Sequence, residues 1–357
     1  MSTLNVNNID KESGSFLTIG GSGTTVNISN MVPDVALSNR NLIINGAMQV
    51  WQRGLTQTST GFGCVDRWKN TVSGTTTFSQ DTASLPTGFE YALRWTTGAS
   101  SSYGQSRQYL ETSTVKILRG RTLTASSYVK VSGSYSGYVT WEIAYSTTSD
   151  SAAGNTWVQL TETSVVTASA SDASSDYKRI SCNVDIPSNA VGLYIGIVPS
   201  ATQASGQWVS VTGVQLEVGD VATPFEHRIY GEELALCQRY YYRLNANANY
   251  SRWGDGCWDT VTQASLIFPI LVPMRSSPSV DSTGSSSDYV LVNAGSVYTC
   301  TSIPSFSKST ITSDGSCAVV TLVALSTGNG TAGNAAQLVS VGGGGWTGDF
   351  LGLDAEL

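Results

Sequence analysis

GYVTWEIAYS, residues 137–146, decides the fold class. Val139, Trp141, Ile143 and Tyr145 fall on one side of an extended chain, and Thr140 and Glu142 on the other. A period of two marks a half-buried antiparallel strand. The flanking sequence repeats the pattern. GLYIGIV (192–198) sets Leu193, Ile195 and Ile197 together. QWVSVTGVQLEVG (207–219) begins with Val209 and Val211, then shifts phase at Gly213 to Val214, Leu216 and Val218. A slip of one residue at a glycine predicts a β-bulge. RTLTASSYVKV (121–131), NTWVQLTETSVV (155–166) and YKRISCNVDI (177–186) add strands. Strands at this spacing, with Ser/Gly-rich turns, predict an all-β sandwich over residues 40–226.

Residues 244–357 form a second β-rich region. ASLIFPILVPM (264–274) is a strand interrupted by Pro269, hence an edge or a bulge. SDYVLVNAG, SVYTCTSI, SCAVVTLVAL and AAQLVSVG follow. In VSVGGGGWTGDF (339–350), a glycine run precedes Trp346. Such a run is mobile or needs positive φ.

Between the two regions, TPFEHRIYGEELALCQRYYYR (223–243) changes character. From Ile229 onward it is rich in helix formers, acids lead, and Arg239 and Arg243 follow, as the helix dipole favours. Gly231 is the expected N-cap. Leu234, Cys237 and Tyr241, at i, i+3 and i+7, mark one helical face. One short amphipathic helix over 227–243 therefore joins the two β regions.

At the other end, residues 1–30 hold three short alternating runs, TLNVNNI, FLTIGG and TTVNIS. They are too short to bury a core and must dock on something else. SNMVPDVALSN (29–39) reads as a linker, with Pro33 forcing an extended path.

Composition narrows the function. Charged residues are 13% of the 357, against about 25% in an ordinary globular chain. Hydrophobic residues at 40% exclude a disordered chain. A net charge of −7, with no basic cluster, argues against nucleic-acid binding. No apolar run is long enough for membrane insertion, and the N-terminus lacks the pattern of a signal peptide. The six cysteines at 64, 182, 237, 257, 300 and 317 form no CxxC pair and read as buried thiols. With one histidine, His227, there is no zinc pattern, and no metal or cofactor is expected.

Chemistry-bearing motifs are sparse. There is no GxxxxGK[ST], no GxGxxG after a strand and no GxSxG, so no catalytic residue is assigned. Glu232 and Glu233 are neighbours, so on a helix they diverge and do not share a proton; they suit a first turn. RWGDGCWDT (252–260) is the best local candidate for holding a sugar. Trp253 and Trp258 offer flat apolar faces, and Asp255 and Asp259 supply hydrogen-bond acceptors. The same residues also read as a turn carrying two core tryptophans. Trp346 with Asp349 is a second candidate pair.

Two stretches carry a resemblance. NLIINGAMQVWQRG (41–54), followed by CVDRWKN (64–70), resembles the opening of the central domain of tailed-bacteriophage tail fibres and receptor-binding proteins. VTGVQLEVGDVATPFEHRIYGEELALCQRYYYR (211–243) resembles the segment that closes that domain. FPILVPMRSSPSV (268–280) and the terminal LDAEL are looser matches, and the N-terminal runs resemble attachment segments of marine or cyanophage virion proteins.

The resemblance implies a jelly-roll-like sandwich of the carbohydrate-binding-module type. It also implies a homotrimer, with Leu234, Cys237 and Tyr241 at the joint near the three-fold axis. Residues 1–30 would contact other tail or capsid proteins, and residues 244–357 would form the host-binding tip. The function expected is a non-enzymatic adhesin for a bacterial surface glycan, carried on the virion and assembled in the host cytoplasm. A structural virion protein (a capsid decoration or fibre adaptor) and a tailspike depolymerase are the alternatives.

Overall fold

The computed structural model describes residues 39–357 except 100–101, 136, 153–155, 161–163, 166–167, 201, 247–250, 283–284, 294, 312–316, 327, 329 and 341–349. The N-terminal runs, most of the linker, and Trp346 and Asp349 lie outside the described residues. The chain divides after residue 37, and the second unit, 38–357, is compact.

The first half of the second unit contains β1 (Thr56–Gln57), β2 (Lys69–Ser73), β3 (Thr76–Asp81), β4 (Ala92–Thr97) and β5 (Tyr103–Leu110). Then come α1 (Thr112–Leu118), β6 (Thr122–Val131), β7 (Tyr138–Ser146), β8 (Val158–Gln159), β9 (Ser164–Val165) and β10 (Ala168–Ser169). α2 (Ala170–Ala173), β11 (Lys178–Asp185), β12 (Gly192–Pro199) and β13 (Trp208–Val218) complete it. These strands make two antiparallel sheets, ordered β1-β3-β4-β13-β6-β11-β9 and β10-β7-β12-β5-β2. Their inner faces share one core, a jelly-roll-like sandwich. Trp95, Val129 and Val211 meet Trp141, Ile143 and Ile195 there.

The alternation in 137–146 is realised in β7. Val139, Trp141 and Ile143 are buried, while Thr140 and Glu142 are half-exposed. The phase slip in β13 is also present, as its pairing with β6 shifts register between Thr212 and Gln215. Gly213 sits in that gap with φ 61°, which a side chain resists. NTWVQLTETSVV, read as a full strand, yields only the short β8 and β9. The helices α1 and α2 lie where strand periodicity gave no sign of them.

The connecting helix exists as α3 (Tyr230–Gln238), with three corrections. Its N-cap is Ile229, not Gly231: the Ile229 carbonyl accepts from the N–H groups of Glu232 and Glu233, both at 3.1 Å. The buried face is led by Glu233 and Cys237, one turn apart, with Leu234 half-buried. Finally, Tyr241 is not helical. The Tyr240–Tyr242 run favours extended chain, and Tyr241 opens a strand.

That strand is β14 (Tyr241–Asn245), followed by β15 (Arg252–Trp258), β16 (Gln263–Met274), β17 (Ser279–Ser282), β18 (Tyr289–Asn293) and β19 (Ser296–Thr299). The chain ends with β20 (Ser305–Ile311), β21 (Cys317–Leu325), β22 (Ala335–Ser340) and β23 (Phe350–Asp354). A sheet ordered β19-β18-β22-β15-β16-β21-β20 packs beside a small one ordered β14-β23-β17. Pro269 lies within β16, an internal strand whose register slips between Pro269 and Met274, so the bulge is realised and the edge is not.

Replacing Gly213 by Val tests the bulge. A Cβ there meets Phe89 at 2.7 Å and Tyr128 at 2.8 Å, in a left-handed backbone that a branched residue resists. The expected loss is about 1–3 kcal/mol. It would be read from a lower urea midpoint at unchanged slope; an unchanged midpoint would contradict the assigned geometry.

Candidate functional site

The tryptophans expected to hold a sugar do not face solvent. Residues 252–258 form β15, an internal strand, and not an open loop. Trp253 is 4% exposed and Trp258 1%, both within the C-terminal core. Trp253 packs against Tyr289 and Trp258 against Tyr298. Of the two readings of this stretch, the core one is correct, because apolar burial of an indole outweighs its display. Asp255 and Asp259 are exposed; Asp259 accepts from the Ser265 hydroxyl and from Gln263 at 3.2 Å.

The motif residues that carried the resemblance converge elsewhere, at the joint. Asn41 accepts from the N–H groups of Ile43 and Leu216 and donates to the Val214 carbonyl at 3.1 Å. Its own N–H donates to Glu226 at 2.8 Å. Asn45 adopts φ 57°, which asparagine tolerates, and its side chain bonds Val50 and Gln49. Its N–H donates to Glu233 at 2.5 Å, and Arg228 donates to the same carboxylate at 3.4 Å and to the carbonyls of Ile43 and Asn41. Glu233 is therefore a buried acceptor with its partners in place. The opening and closing motifs are thus one network.

A second layer holds the C-terminal sheets to the sandwich. Arg53 donates to Asp354 at 2.9 Å and to Glu356 at 3.4 Å, and its guanidinium lies 3.5 Å over the Tyr241 ring. Arg67 pairs with the same Glu356, donates to the Tyr109 carbonyl at 2.9 Å and stacks on Tyr240 at 3.4 Å. The side chains of Arg53, Arg67 and Glu356 are only 4%, 1% and 5% exposed. Burial, the largest single influence, opposes both guanidinium charges, but Glu356 together with the other groups around them outweighs it and holds both above their ordinary pKa. Arg243 ties in the carbonyls of Gln52 and Arg53, and Arg275 those of Ala355 and Glu356. Asp66 is fully buried beside this cluster. Burial pushes its carboxyl up to about 6, against the pull of the Gln52 donors and Arg53.

Burial pushes the Cys64 thiol up to about 12 and the Cys237 thiol well above its ordinary value, so neither is a ready nucleophile. Cys182 and Cys300 are also buried, whereas Cys257 is exposed, against the expectation for that residue. His227, the sequence's one histidine, packs among Phe89 and Phe225. Among the described residues, no group of three or more His, Cys, Asp or Glu could hold a metal ion.

The joint does form one wall of an open cleft of about 610 Å³. The other wall is the turn before β4, with Gly88, Glu90 and Tyr91, and the end of β3 with Gln80. Trp51 and Gln49 come from the opening motif, and Tyr230 from the start of α3. The Trp51 indole N–H donates to the Met48 carbonyl at 2.6 Å, which fixes the ring. Arg228 and Gln52 also line the cleft, but their polar groups are committed to the joint. Among the described residues, the side chains of Gln49, Gln80, Glu90 and Tyr230 have no hydrogen-bond partner. Aromatic faces beside uncommitted amides, a carboxylate and a phenol suit a ligand with apolar ring faces and many hydroxyls. Sequence reading missed this cleft because its walls come from three separated segments. Only the aromatic and amide side chains around Trp51 hinted at it.

No protein-family model matches the sequence, and no curated protein matches it. Several solved structures share partial likeness. A putative sugar binding protein from Bacteroides thetaiotaomicron is 11% identical, with 50% of this chain and 100% of that chain covered at a TM-score of 0.34. The family 22 carbohydrate binding module of Clostridium thermocellum Xyn10B is 16% identical, with 48% and 98% covered at 0.31. The enzymatically active domain of bacteriophage CBA120 tailspike protein 4 is 12% identical at 0.33; the match covers 50% of this chain but only 21% of that chain.

Two variants test the joint. Glu356→Ala leaves Arg67 buried without its counter-charge and is expected to cost about 3–5 kcal/mol in chemical denaturation; a loss below about 1 kcal/mol would show the pair to be peripheral. Asp66→Asn tests the buried carboxyl. Its raised pKa gives a stabilising contribution that is full below its unfolded value near 3.8 and is lost as pH rises through about 6. The melting temperature of Asp66→Asn relative to the parent should therefore climb from pH 4 to pH 7. A flat difference would mean that Asp66 is not raised.

Proposed function

We propose that this chain is a non-enzymatic, homotrimeric adhesin of a tailed-phage virion that holds a bacterial surface glycan. The single observation that carries the glycan reading is the cleft. Trp51, Tyr91 and Tyr230 supply ring faces, and Gln49, Gln80 and Glu90 supply donors and acceptors. Its volume falls within the range of about 300–1,000 Å³ typical of ligand sites. A shallow, open site of this kind binds weakly, and three copies on a fibre would raise the avidity.

The phage reading rests on the sequence motifs NLIING, WQRG, DRW, GVQLE and CQRYY, all of which are used in the joint. Such a joint keeps a sandwich and a distal β-rich region rigidly connected, as an adhesin under load requires. In this reading residues 1–30 attach the chain to the virion, and residues 244–357 continue away from it.

The test is labelling of host bacteria by the full-length protein, compared with Tyr230→Ala and Gln80→Ala. Tyr230 is 56% exposed, so its loss leaves the fold intact. We expect each variant to keep its melting temperature and mass, and staining to fall about tenfold or more. Unchanged staining by both would remove the cleft as the glycan site. Release of shortened glycan by the parent protein would overturn the non-enzymatic assignment.

A further inference from the structure

The outer face of the β10-β7-β12-β5-β2 sheet carries, beside the patch where Tyr109 and Tyr194 pack with Tyr240 and Leu357 of the joint, a half-exposed row of charges whose hydrogen bonds the joint does not use. Lys69 stands opposite Arg107 across β2 and β5. Arg107 in turn lies opposite Gly196, and Gly196 opposite Glu142. Because Gly196 has no side chain, Arg107 can lie across it; a Cβ there would approach Arg107 Cγ to 2.9 Å. Arg107 Nε and Nη2 then donate to one oxygen of Glu142, at 2.9 Å and 2.7 Å. The Tyr194 hydroxyl donates to the other oxygen at 3.0 Å. Both oxygens of Glu142 are thus engaged.

Lys69 has no carboxylate partner among the described residues; its ammonium lies 5.9 Å from the Tyr109 ring centroid. The row therefore holds two cations and one carboxylate, and the carboxylate is engaged by Arg107 and not by Lys69, on a chain whose net charge is −7. Burial, and then the charge of Arg107, hold the Lys69 pKa below its ordinary value, so an arriving anion would relieve the pair. Beside the row, the half-buried Trp157 ring stands 4.9 Å from Tyr194, an apolar neighbour for a sugar ring.

We propose that Lys69, with the charge of Arg107 beside it, forms a subsite for the anionic group of a glycan, a carboxylate or a phosphate, with Trp157 against its ring. This subsite shares no residue with the cleft, whose uncommitted charge is the carboxylate of Glu90. It stands whether or not the cleft binds.

Calorimetric titration of the full-length protein with hexagalacturonate, mannose 6-phosphate and neutral maltohexaose tests this. We expect an acidic ligand to bind more tightly than maltohexaose and to weaken as salt is raised. Lys69→Gln should weaken the acidic ligand about tenfold without changing maltohexaose binding, and Lys69→Arg should restore it. Preference for hexagalacturonate would identify a carboxylate, and preference for mannose 6-phosphate a phosphate; both support the subsite. Equal binding by Lys69→Gln and parent would overturn it, as would an acidic ligand that binds no better than maltohexaose. Loss of acidic binding in Tyr230→Ala alone would place the anion in the cleft and overturn it too.

Discussion

The second unit depends on one buried carboxylate. Glu356 sits between two buried guanidinium groups, Arg53 and Arg67, each also stacked on a tyrosine of the joint. A charge so deep is stable only when its partners are fixed. Around it are the opening motif, the end of α3 and the last residues of the chain. Arg67 even accepts φ 73°, a left-handed conformation that only a well-determined surrounding would hold. Removing any one group would leave the others charged and dry.

That constraint explains where binding chemistry can and cannot reside. The joint spends the polar groups of Asn41, Asn45, Gln52, Arg228 and Glu233 on itself. The polar groups it leaves uncommitted lie at its margins, where Trp51 and Gln49 line the cleft, and on the outer sheet face at Lys69. Lys69 directly follows Trp68, whose indole N–H donates to the Asn45 carbonyl at 3.2 Å. Alternation along the chain thus puts a structural residue inside and a candidate binding residue outside, one step apart.

The readable parts of the sequence were those governed by local periodicity. The alternation of 137–146 became β7, and the phase slip at Gly213 became a register shift, because both are properties of one strand. The helix was legible from its composition, but its buried face was not. Pattern alone favours Leu234 over Glu233, and only the arrival of Asn45 and Arg228 makes Glu233 a core residue. Trp253 and Trp258 show the same limit: a tryptophan beside aspartates looks alike whether its ring faces a sugar or a second layer of sheet.

By itself, the sequence determined the all-β class, the helix between two β-rich regions and the strand register at the bulge, since side-chain alternation and backbone preference act within a few residues. Tertiary structure alone decided which motif residues became the joint, that the C-terminal Asp354 and Glu356 return to Arg53 and Arg67, and where a cleft was left open. Those outcomes turn on burial and on pairing of charges about 300 positions apart, such as the 301 between Arg53 and Asp354. Neither quantity exists until the sheets have packed.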